Sequence, residues 1–168
     1  MLVSMIAVMT PNRIIGKSGG GIPWSLPRDK QHFRDYTAEK WLLVGRSTYQ
    51  EMEGWFGNRT PIVLTSDSSY STESPAHRVA SSVTEGIRIA EKNGAEELVV
   101  TGGASVYTAA LQYAERLILT LVETEIAEGS RFPPFQDSDH WSLVHRESWP
   151  ADEKNEIAMC LQILDREK

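Results

Sequence analysis

The 168-residue sequence predicts an α/β fold built on one mostly parallel sheet. Three observations predict it. Short β-rich runs alternate with helical segments along the chain, a pattern typical of strands joined by helical crossovers. Several of these runs, including Trp41–Val44 and Glu97–Thr101, are almost continuously apolar, as strands covered on both faces are. The last two, Trp141–Trp149 and Glu156–Asp165, have no helix between them, which favours an antiparallel C-terminal pair.

The individual elements follow from local patterns. Pro27 falls in the first turn of its helix, where a missing N–H is harmless, and Asn93-Gly94 is a typical helix end. The expected strands are Leu2–Met9, Trp41–Val44, Pro61–Thr65, Arg78–Ser81, Glu97–Thr101, Arg116–Glu123, Trp141–Trp149 and Glu156–Asp165. The expected helices are Pro27–Thr37, Ser47–Glu53, Val83–Lys92 and Ala104–Tyr113. We therefore predict a single domain over residues 1–168, with an eight-stranded sheet flanked by about four helices.

Composition excludes several classes of function. The net charge of −6 argues against a nucleic-acid partner, because proteins that track phosphates carry a basic face. Cys160 is the only cysteine, so neither an internal disulfide nor a thiolate metal site can form, and the four histidines lack metal-ligand spacing. No apolar stretch is long enough to cross a bilayer, and the N-terminus does not resemble a signal peptide. We expect a cytoplasmic protein with no metal and no membrane partner.

Glycine and hydroxyl residues follow three of the predicted strands. Gly102-Gly103 and Gly45-Arg46 each lead from a strand into a helix, and Thr65-Ser66 ends a third strand. One such junction is weak evidence for a ligand site, because a tight strand-to-helix turn needs glycine for structural reasons alone. In open α/β sheets, however, ligands bind at the carboxyl ends of strands, and helix N-termini favour phosphate. Three junctions predict a long phosphorylated ligand such as a dinucleotide, although the spacing is not that of an ordinary Rossmann domain.

Asp29 lies in the first turn of a helix whose other residues on that face are aromatic. An acidic residue at this position is often only a surface charge that complements the helix dipole. Here Phe33 and Tyr36 follow at helical spacing and Trp24 precedes it. A carboxylate in such a wall can bind a flat heterocycle with two adjacent N–H groups, and burial would raise its pKa. Thr120, inside an apolar strand, also needs a hydrogen-bond partner.

Taken together, these segments resemble dihydrofolate reductase of the chromosomal bacterial type. The resemblance covers nearly the whole chain and is carried by "IAVMTPNRIIGKSGGGIPWSLPRD", "VGRSTYQEM", "RTPIVLTS", "VVTGGASVY" and "LILTLVE". It implies NADPH-dependent reduction of 7,8-dihydrofolate to 5,6,7,8-tetrahydrofolate, by hydride transfer to C6 and protonation of N5. This reaction supports one-carbon metabolism and the synthesis of thymidylate, purines and amino acids. The implied ligands include antifolates such as methotrexate and trimethoprim-like diaminopyrimidines, and a monomer is expected.

The resemblance also implies roles for individual residues. Asp29 would bind the pterin 2-amino group and N3 and favour protonation of N5 through water, with Trp24 and Thr120 as the other catalytic residues. Arg59 would clamp the glutamate tail, and Arg46 and Ser66 would hold the 2′-phosphate. The implied substrate-binding residues are Ile6, Val8, Ile22, Asp29, Phe33, Met52, Phe56, Arg59, Thr101, Tyr107 and Thr120. The implied cofactor-binding residues are Ala7, Ile15, Gly16, Gly45, Arg46, Ser47, Thr48, Leu64, Thr65, Ser66, Thr101, Gly102, Gly103, Ala104, Ser105, Val106 and Tyr107.

The sequence departs from the family pattern at several positions. Three glycines in "GKSGGGIPW" predict a more mobile lid over the nicotinamide, and the family's Gly-Asp-Thr latch reads Gly129-Ser130-Arg131. Thr101 replaces an apolar residue of the pterin pocket, and Ser105 replaces a frequent arginine near the cofactor phosphates. The family also joins its paired glycines, here Gly102 and Gly103, by a cis peptide.

Two other functions fit parts of the pattern. A pyrimidine reductase of riboflavin synthesis would share the sheet and the cofactor, but it would lack the acid at Asp29. A non-catalytic nucleotide-binding protein would not need Asp29, Arg59 or the paired glycines together. These residues favour the folate reductase.

Overall fold

A computed structural model describes residues 1–17, 24–135 and 140–168 and confirms the predicted α/β architecture. The strands are β1 (Leu2–Met9), β2 (Ile14–Gly16), β3 (Trp41–Gly45), β4 (Thr60–Leu64), β5 (Arg78–Ala80), β6 (Glu97–Gly102), β7 (Arg116–Val122), β8 (Ser130–Arg131), β9 (Trp141–Trp149) and β10 (Met159–Arg166). The helices are α1 (Pro27–Thr37), α2 (Arg46–Glu51), α3 (Val83–Lys92) and α4 (Ala104–Ala110), the last followed by a 3₁₀ turn over Leu111–Tyr113.

The main sheet contains eight strands in the order β5-β4-β3-β6-β1-β7-β10-β9. The pairs β4–β5, β3–β4, β3–β6 and β1–β6 are parallel. Strand β10 is antiparallel to both β7 and β9, so the prediction of an antiparallel C-terminal strand is confirmed. Continuous apolar runs were a reliable guide here because strands covered on both faces exclude polar side chains.

Three elements differ from the sequence prediction by more than one residue at one end. Strand β10 begins at Met159 and not at Glu156, because residues just before it form a turn in which Asp152 N–H donates to the Asn155 carbonyl at 2.8 Å. Helix α2 runs over Arg46–Glu51 in place of Ser47–Glu53. The segment predicted as one helix over Ala104–Tyr113 ends its α-helical part at Ala110 and continues as the 3₁₀ turn.

A second, two-stranded sheet was missed from the sequence. Strand β2 pairs with β8 in antiparallel register, with Ile14 opposite Arg131 and Gly16 opposite Ser130. Phe132 N–H extends the pairing by donating to the Arg13 carbonyl at 2.8 Å. Runs of three and two residues are too short for a hydrophobic period to show. The Gly129-Ser130-Arg131 segment therefore makes main-chain bonds even though it lacks the family's aspartate.

The chain divides into two compact units, and the first comprises Met1–Met5 and Thr37–Ala114. Its interior is built by parallel strands. Leu43 lies opposite Ile62 on β4 and opposite Val100 on β6, and all three side chains are fully buried. Helix α3 approaches this layer closely at Gly86, where an added Cβ would lie 2.9 Å from a Leu43 methyl carbon.

The ends of α3 are fixed by local hydrogen bonds. Ser82 caps the N-terminus by accepting from Glu85 N–H at 3.1 Å, and the Glu85 carboxylate accepts from Ser81 N–H at 2.6 Å. At the other end Gly94 has a φ of 76°, so the predicted Asn93-Gly94 helix end is confirmed.

The second unit comprises Ile6–Tyr36 and Glu115–Lys168. Ile118 on β7 lies opposite Ile163 on β10, which in turn lies opposite His145 on β9. The side chains of Leu117, Ile118 and Leu119 are fully buried, whereas most of β9 is exposed. Cys160 is a buried free thiol. In the part of the chain that the structure describes, no helix is both long and apolar enough to cross a membrane.

Gly129 is the residue on which the β2–β8 pairing depends most. Its φ is 153°, and an added Cβ would lie 2.0 Å from the Gly16 carbonyl oxygen. We expect Gly129→Ala to lower the free energy of unfolding by about 1–3 kcal/mol, because the backbones must separate. Amide hydrogen exchange should become faster at residues 14–16 and 130–131.

Gly94→Ala is the matched control for this change. Gly94 also has a positive φ, but no atom lies within 4 Å of an added Cβ. Gly94→Ala should lower the free energy of unfolding by only about 1 kcal/mol and leave hydrogen exchange in β2 and β8 unchanged. Equal effects of the two variants on that exchange would contradict the assignment of Gly129.

Candidate functional site

Asp29 is held in the first turn of α1 by groups from other elements. The side-chain oxygen of buried Asn155 accepts from Arg28 N–H at 3.0 Å, which caps the helix from a distant turn. The Arg28 guanidinium also pairs with Asp152 at 3.1 Å. Sequence reasoning missed this cap, because its acceptor lies 127 residues away in the chain. It fixes the backbone next to the carboxylate.

The Asp29 carboxylate is largely removed from water. Burial raises its pKa from 3.8 to about 6, and a hydrogen bond with the Thr120 side chain opposes the rise by stabilising the ionised form. Thr120 lies on β7 and is 1 % exposed. The structure therefore gives this hydroxyl the partner that the sequence required, and it confirms the predicted upward shift of the pKa.

Three predicted site residues with apolar or aromatic side chains belong to the same unit as Asp29. Ile6 is buried on β1, and Phe33 lies four residues after Asp29 on α1, partly buried. Trp24, just before the helix, has a buried Nε1 that finds no hydrogen-bond partner among the described residues. The predicted contact Ile22 and the glycines of the predicted lid lie outside the described residues.

Arg59, in the first unit, is held in one orientation by three neighbours. Its Nε donates to the Thr37 hydroxyl at 2.8 Å, and its Nη1 donates to the Phe56 carbonyl at 3.3 Å. The guanidinium carbon lies 4.1 Å from the centre of the Trp55 ring. Thr37 and Trp55 were not among the predicted site residues. They fix the plane of a group suited to gripping a carboxylate.

Phe56 lies in a cluster of aromatic side chains. It is 2 % exposed, and its ring stacks on Tyr49 with centroids 5.0 Å apart. The centre of the His77 ring lies 5.4 Å away in an edge-to-face arrangement. In this structure Phe56 belongs to an aromatic cluster of the first unit, and its contact with substrate stays a prediction.

The two predicted glycine junctions come together in the first unit. An added Cβ on Gly45 would lie 3.0 Å from a Val106 methyl carbon and 3.6 Å from Gly103 N. One on Gly103 would lie 3.4 Å from the Thr48 hydroxyl. The Gly102-Gly103 peptide is cis, as the resemblance implied. Helices α2 and α4 begin after Gly45 and Gly103, and neither glycine offers a side-chain cap to the first N–H groups.

Arg46, at the start of α2, has two partners that sequence reasoning missed. Its Nη1 lies 3.3 Å from Asp67 Oδ2, and its guanidinium carbon lies 4.4 Å from the centre of the Tyr70 ring. Both partners follow β4 in the loop that carries Ser66. The acidic residue Asp67, directly after Thr65-Ser66, is visible in the sequence. The local sequence does not show that its side chain reaches Arg46.

Thr101 directs its hydroxyl into the sheet. The side chain is buried on β6, and its Oγ1 donates to the Leu43 carbonyl at 3.4 Å. The main chain therefore satisfies this polar atom within the sheet.

The predicted residues divide between the two units. The second unit holds Ile6, Ala7, Val8, Ile15, Gly16, Trp24, Asp29, Phe33 and Thr120. The first holds Gly45, Arg46, Ser47, Thr48, Met52, Phe56, Arg59, Leu64, Thr65, Ser66, Thr101, Gly102, Gly103, Ala104, Ser105, Val106 and Tyr107. Among the described residues, no group of three or more His, Cys, Asp or Glu side chains is placed to hold a metal ion.

Comparison with known proteins gives a consistent result. The sequence profile of the family described as dihydrofolate reductase matches residues 2–166. The dihydrofolate reductase of Bacillus subtilis is 36% identical over 154 residues, which cover 92% of this chain and 88% of that protein. Dihydrofolate reductase type 3 of Salmonella typhimurium is 32% identical over the whole of both chains. The structure of dihydrofolate reductase from Enterococcus faecalis complexed with NADP(H) and RAB-propyl has a TM-score of 0.86 at 30% identity, covering 99% of this chain and 97% of that one.

The raised pKa of Asp29 makes stability depend on pH in a defined direction. The folded protein binds this proton more tightly than the unfolded chain, so the contribution is full below about pH 3.8 and is lost as pH rises through about 6. Between these limits the parent should lose roughly 3 kcal/mol of unfolding free energy through this group. Asp29→Asn should not show this loss. The difference in unfolding free energy between variant and parent, measured in urea, should grow in favour of the variant from about pH 4 to pH 7.5.

Glu91→Gln provides the control, since it also replaces a carboxyl group by an amide, at an exposed position on α3. Its difference from the parent should stay nearly constant over this pH range. A flat difference for Asp29→Asn as well would show that the carboxylate is not desolvated.

Proposed function

The chain belongs to the dihydrofolate reductase family, and from this premise we propose that it reduces 7,8-dihydrofolate to 5,6,7,8-tetrahydrofolate with NADPH. The observation that carries the proposal is the buried Asp29 carboxylate, hydrogen-bonded to Thr120, with a pKa raised to about 6. A riboflavin-pathway pyrimidine reductase would have no use for this acid.

Asp29 performs two tasks in the proposed reaction. Its two oxygens match two parallel N–H donors, so it binds the 2-amino group and N3 of the pterin and fixes the orientation of the ring. In a site of low dielectric its negative charge also favours a proton on the ring and raises the basicity of N5. Thr120 keeps the carboxylate in the orientation that both tasks need. The same charge would pair with the protonated ring of diaminopyrimidine antifolates.

Trp24 is assigned to the path by which water delivers the proton to N5. Its buried Nε1–H lacks a hydrogen-bond partner among the described residues, and a buried donor of this kind favours an incoming polar group. Phe33 and Ile6 supply apolar surface that keeps bulk water away from the ring.

Arg59 is proposed to bind the carboxylate of the glutamate tail. The hydrogen bonds to Thr37 and Phe56 and the stack on Trp55 hold its guanidinium before the ligand arrives. Little side-chain entropy then remains to be lost on binding, which increases affinity.

The first unit fits the cofactor. Gly45, Gly102 and Gly103 leave space that side chains would fill, so that the main chain and the uncapped starts of α2 and α4 can meet the pyrophosphate. Exposed Arg46, Ser47 and Ser66 provide a cation and hydroxyl donors for the adenosine phosphates. When bound, NADPH supplies the hydride that C6 of the pterin accepts. Tetrahydrofolate then serves one-carbon metabolism, and we propose one catalytic domain over residues 1–168 that acts as a monomer.

Replacement of the central acid tests the proposed role directly. Asp29→Asn should retain the fold and NADPH binding while losing about 10²–10⁴-fold in turnover, because the amide carries no charge to favour protonation. The measurement is dihydrofolate-dependent loss of NADPH absorbance, with NADPH affinity followed by fluorescence. Asp35→Asn should behave like the parent. Parental turnover by Asp29→Asn would sink the role given to this residue.

The tail clamp is tested with two substrates. Arg59→Ala should raise the KM for dihydrofolate by about ten- to a hundredfold, since a charge-assisted pair is lost. The KM for a dihydropterin without a glutamate tail should stay nearly unchanged. Arg34→Ala, an exposed cation on α1, provides a comparison for the general effect of removing one positive charge. An equal rise of KM for the two substrates in Arg59→Ala would contradict the assignment.

A further inference from the structure

Asp67 is fixed beside the one cation among the proposed cofactor-binding residues. Its Oδ1 accepts from Ser69 N–H at 3.0 Å and from the Ser69 hydroxyl at 2.6 Å. Its Oδ2 faces Arg46 Nη1 at 3.3 Å. Bonds from Ser69 and then the charge of Arg46 hold the pKa of Asp67 below its usual value, so this carboxylate is ionised at neutral pH.

This arrangement conflicts with a phosphate seated on Arg46. Asp67 directly follows Ser66, and both Asp67 and Arg46 have side chains about two-fifths exposed, at 43% and 44%. A 2′-phosphate carries a charge of roughly −1.5 to −2. On Arg46 it would compete with Asp67 for the guanidinium and would lie near a fixed like charge. The adenosine ribose of NADH has a hydroxyl at that position, which carries no charge and can donate to a carboxylate.

We propose that Asp67 is a specificity-determining residue that lowers the preference of this enzyme for NADPH over NADH. The inference rests on the proposed function, since it takes Arg46 as the 2′-phosphate cation. It concerns a residue that enters neither the pterin site nor the chemistry, so its effect falls on cofactor affinity and leaves kcat with saturating NADPH nearly unchanged.

The opposite role, in which Asp67 orients Arg46 for the phosphate, is disfavoured by the second partner of the arginine. The Tyr70 ring holds the guanidinium face at 4.4 Å whether or not the carboxylate is charged. An exposed ion pair also adds little to the order of the arginine, because water weakens the attraction between the two charges. Removing the Asp67 charge therefore frees Arg46 without releasing it from its stack.

The test is the pair of dissociation constants for NADPH and for NADH, measured by fluorescence titration of the parent and of Asp67→Asn. The asparagine oxygen can still accept from Ser69, so the loop is kept. NADPH should bind about fivefold more tightly to the variant, with NADH unchanged or slightly weaker. The gain should shrink in high salt, which screens charges at an exposed site.

Glu91→Gln makes the same change in net charge at an exposed position on α3 and should alter neither constant. An unchanged ratio of the two affinities in Asp67→Asn would overturn the proposal, as would weaker NADPH binding or an equal change for both nucleotides. Because the titration needs no turnover, it is separate from the proposed function. A parent protein that binds NADPH but does not oxidise it with dihydrofolate would refute the reaction and leave this test intact.

Discussion

The Asp29 carboxylate is largely removed from water, and several contacts of the second unit hold it there. Removing an ionised group from water costs free energy. Here the Thr120 hydroxyl, on a buried stretch of β7, stabilises the Asp29 carboxylate by a hydrogen bond. The backbone next to it is anchored by Asn155, itself 4 % exposed, and by the Arg28–Asp152 pair. Stability is given up at neutral pH to keep a carboxyl group whose pKa lies near neutral, which is a common exchange at catalytic sites.

The first unit depends on a different constraint, the close approach of two main-chain turns. At Gly45 an added Cβ would contact Val106, and at Gly102 a φ of 111° and the Tyr107 ring 3.2 Å away both exclude a side chain. A nucleotide phosphate can then be met by backbone N–H groups, whose positions are set by the strands. The packing of the first unit therefore requires glycine at both positions.

The sequence was a good guide wherever a signal was local. Short β-rich runs, several of them continuously apolar, predicted all eight strands of the main sheet, and Asp29 was singled out because a carboxylate was unexpected beside Phe33. Contacts distant in the chain were missed. The Asn155 cap and the Thr37–Arg59 bond need the fold before their partners can be known. The short strands β2 and β8 gave no hydrophobic period to detect.

Asp29 and Asp67 show how burial decides what one side-chain type can do. For Asp29 desolvation dominates and raises the pKa to about 6, so the carboxyl changes charge near neutral pH and can take part in proton chemistry. For Asp67 water and hydrogen bonds to Ser69 dominate, so the charge is permanent and acts only through space. A permanent exposed charge exerts a modest, salt-dependent influence, which suits the choice between two ligands that differ by one phosphate. Cofactor preference can therefore change by single surface substitutions, whereas the buried acid is fixed by the packing around it.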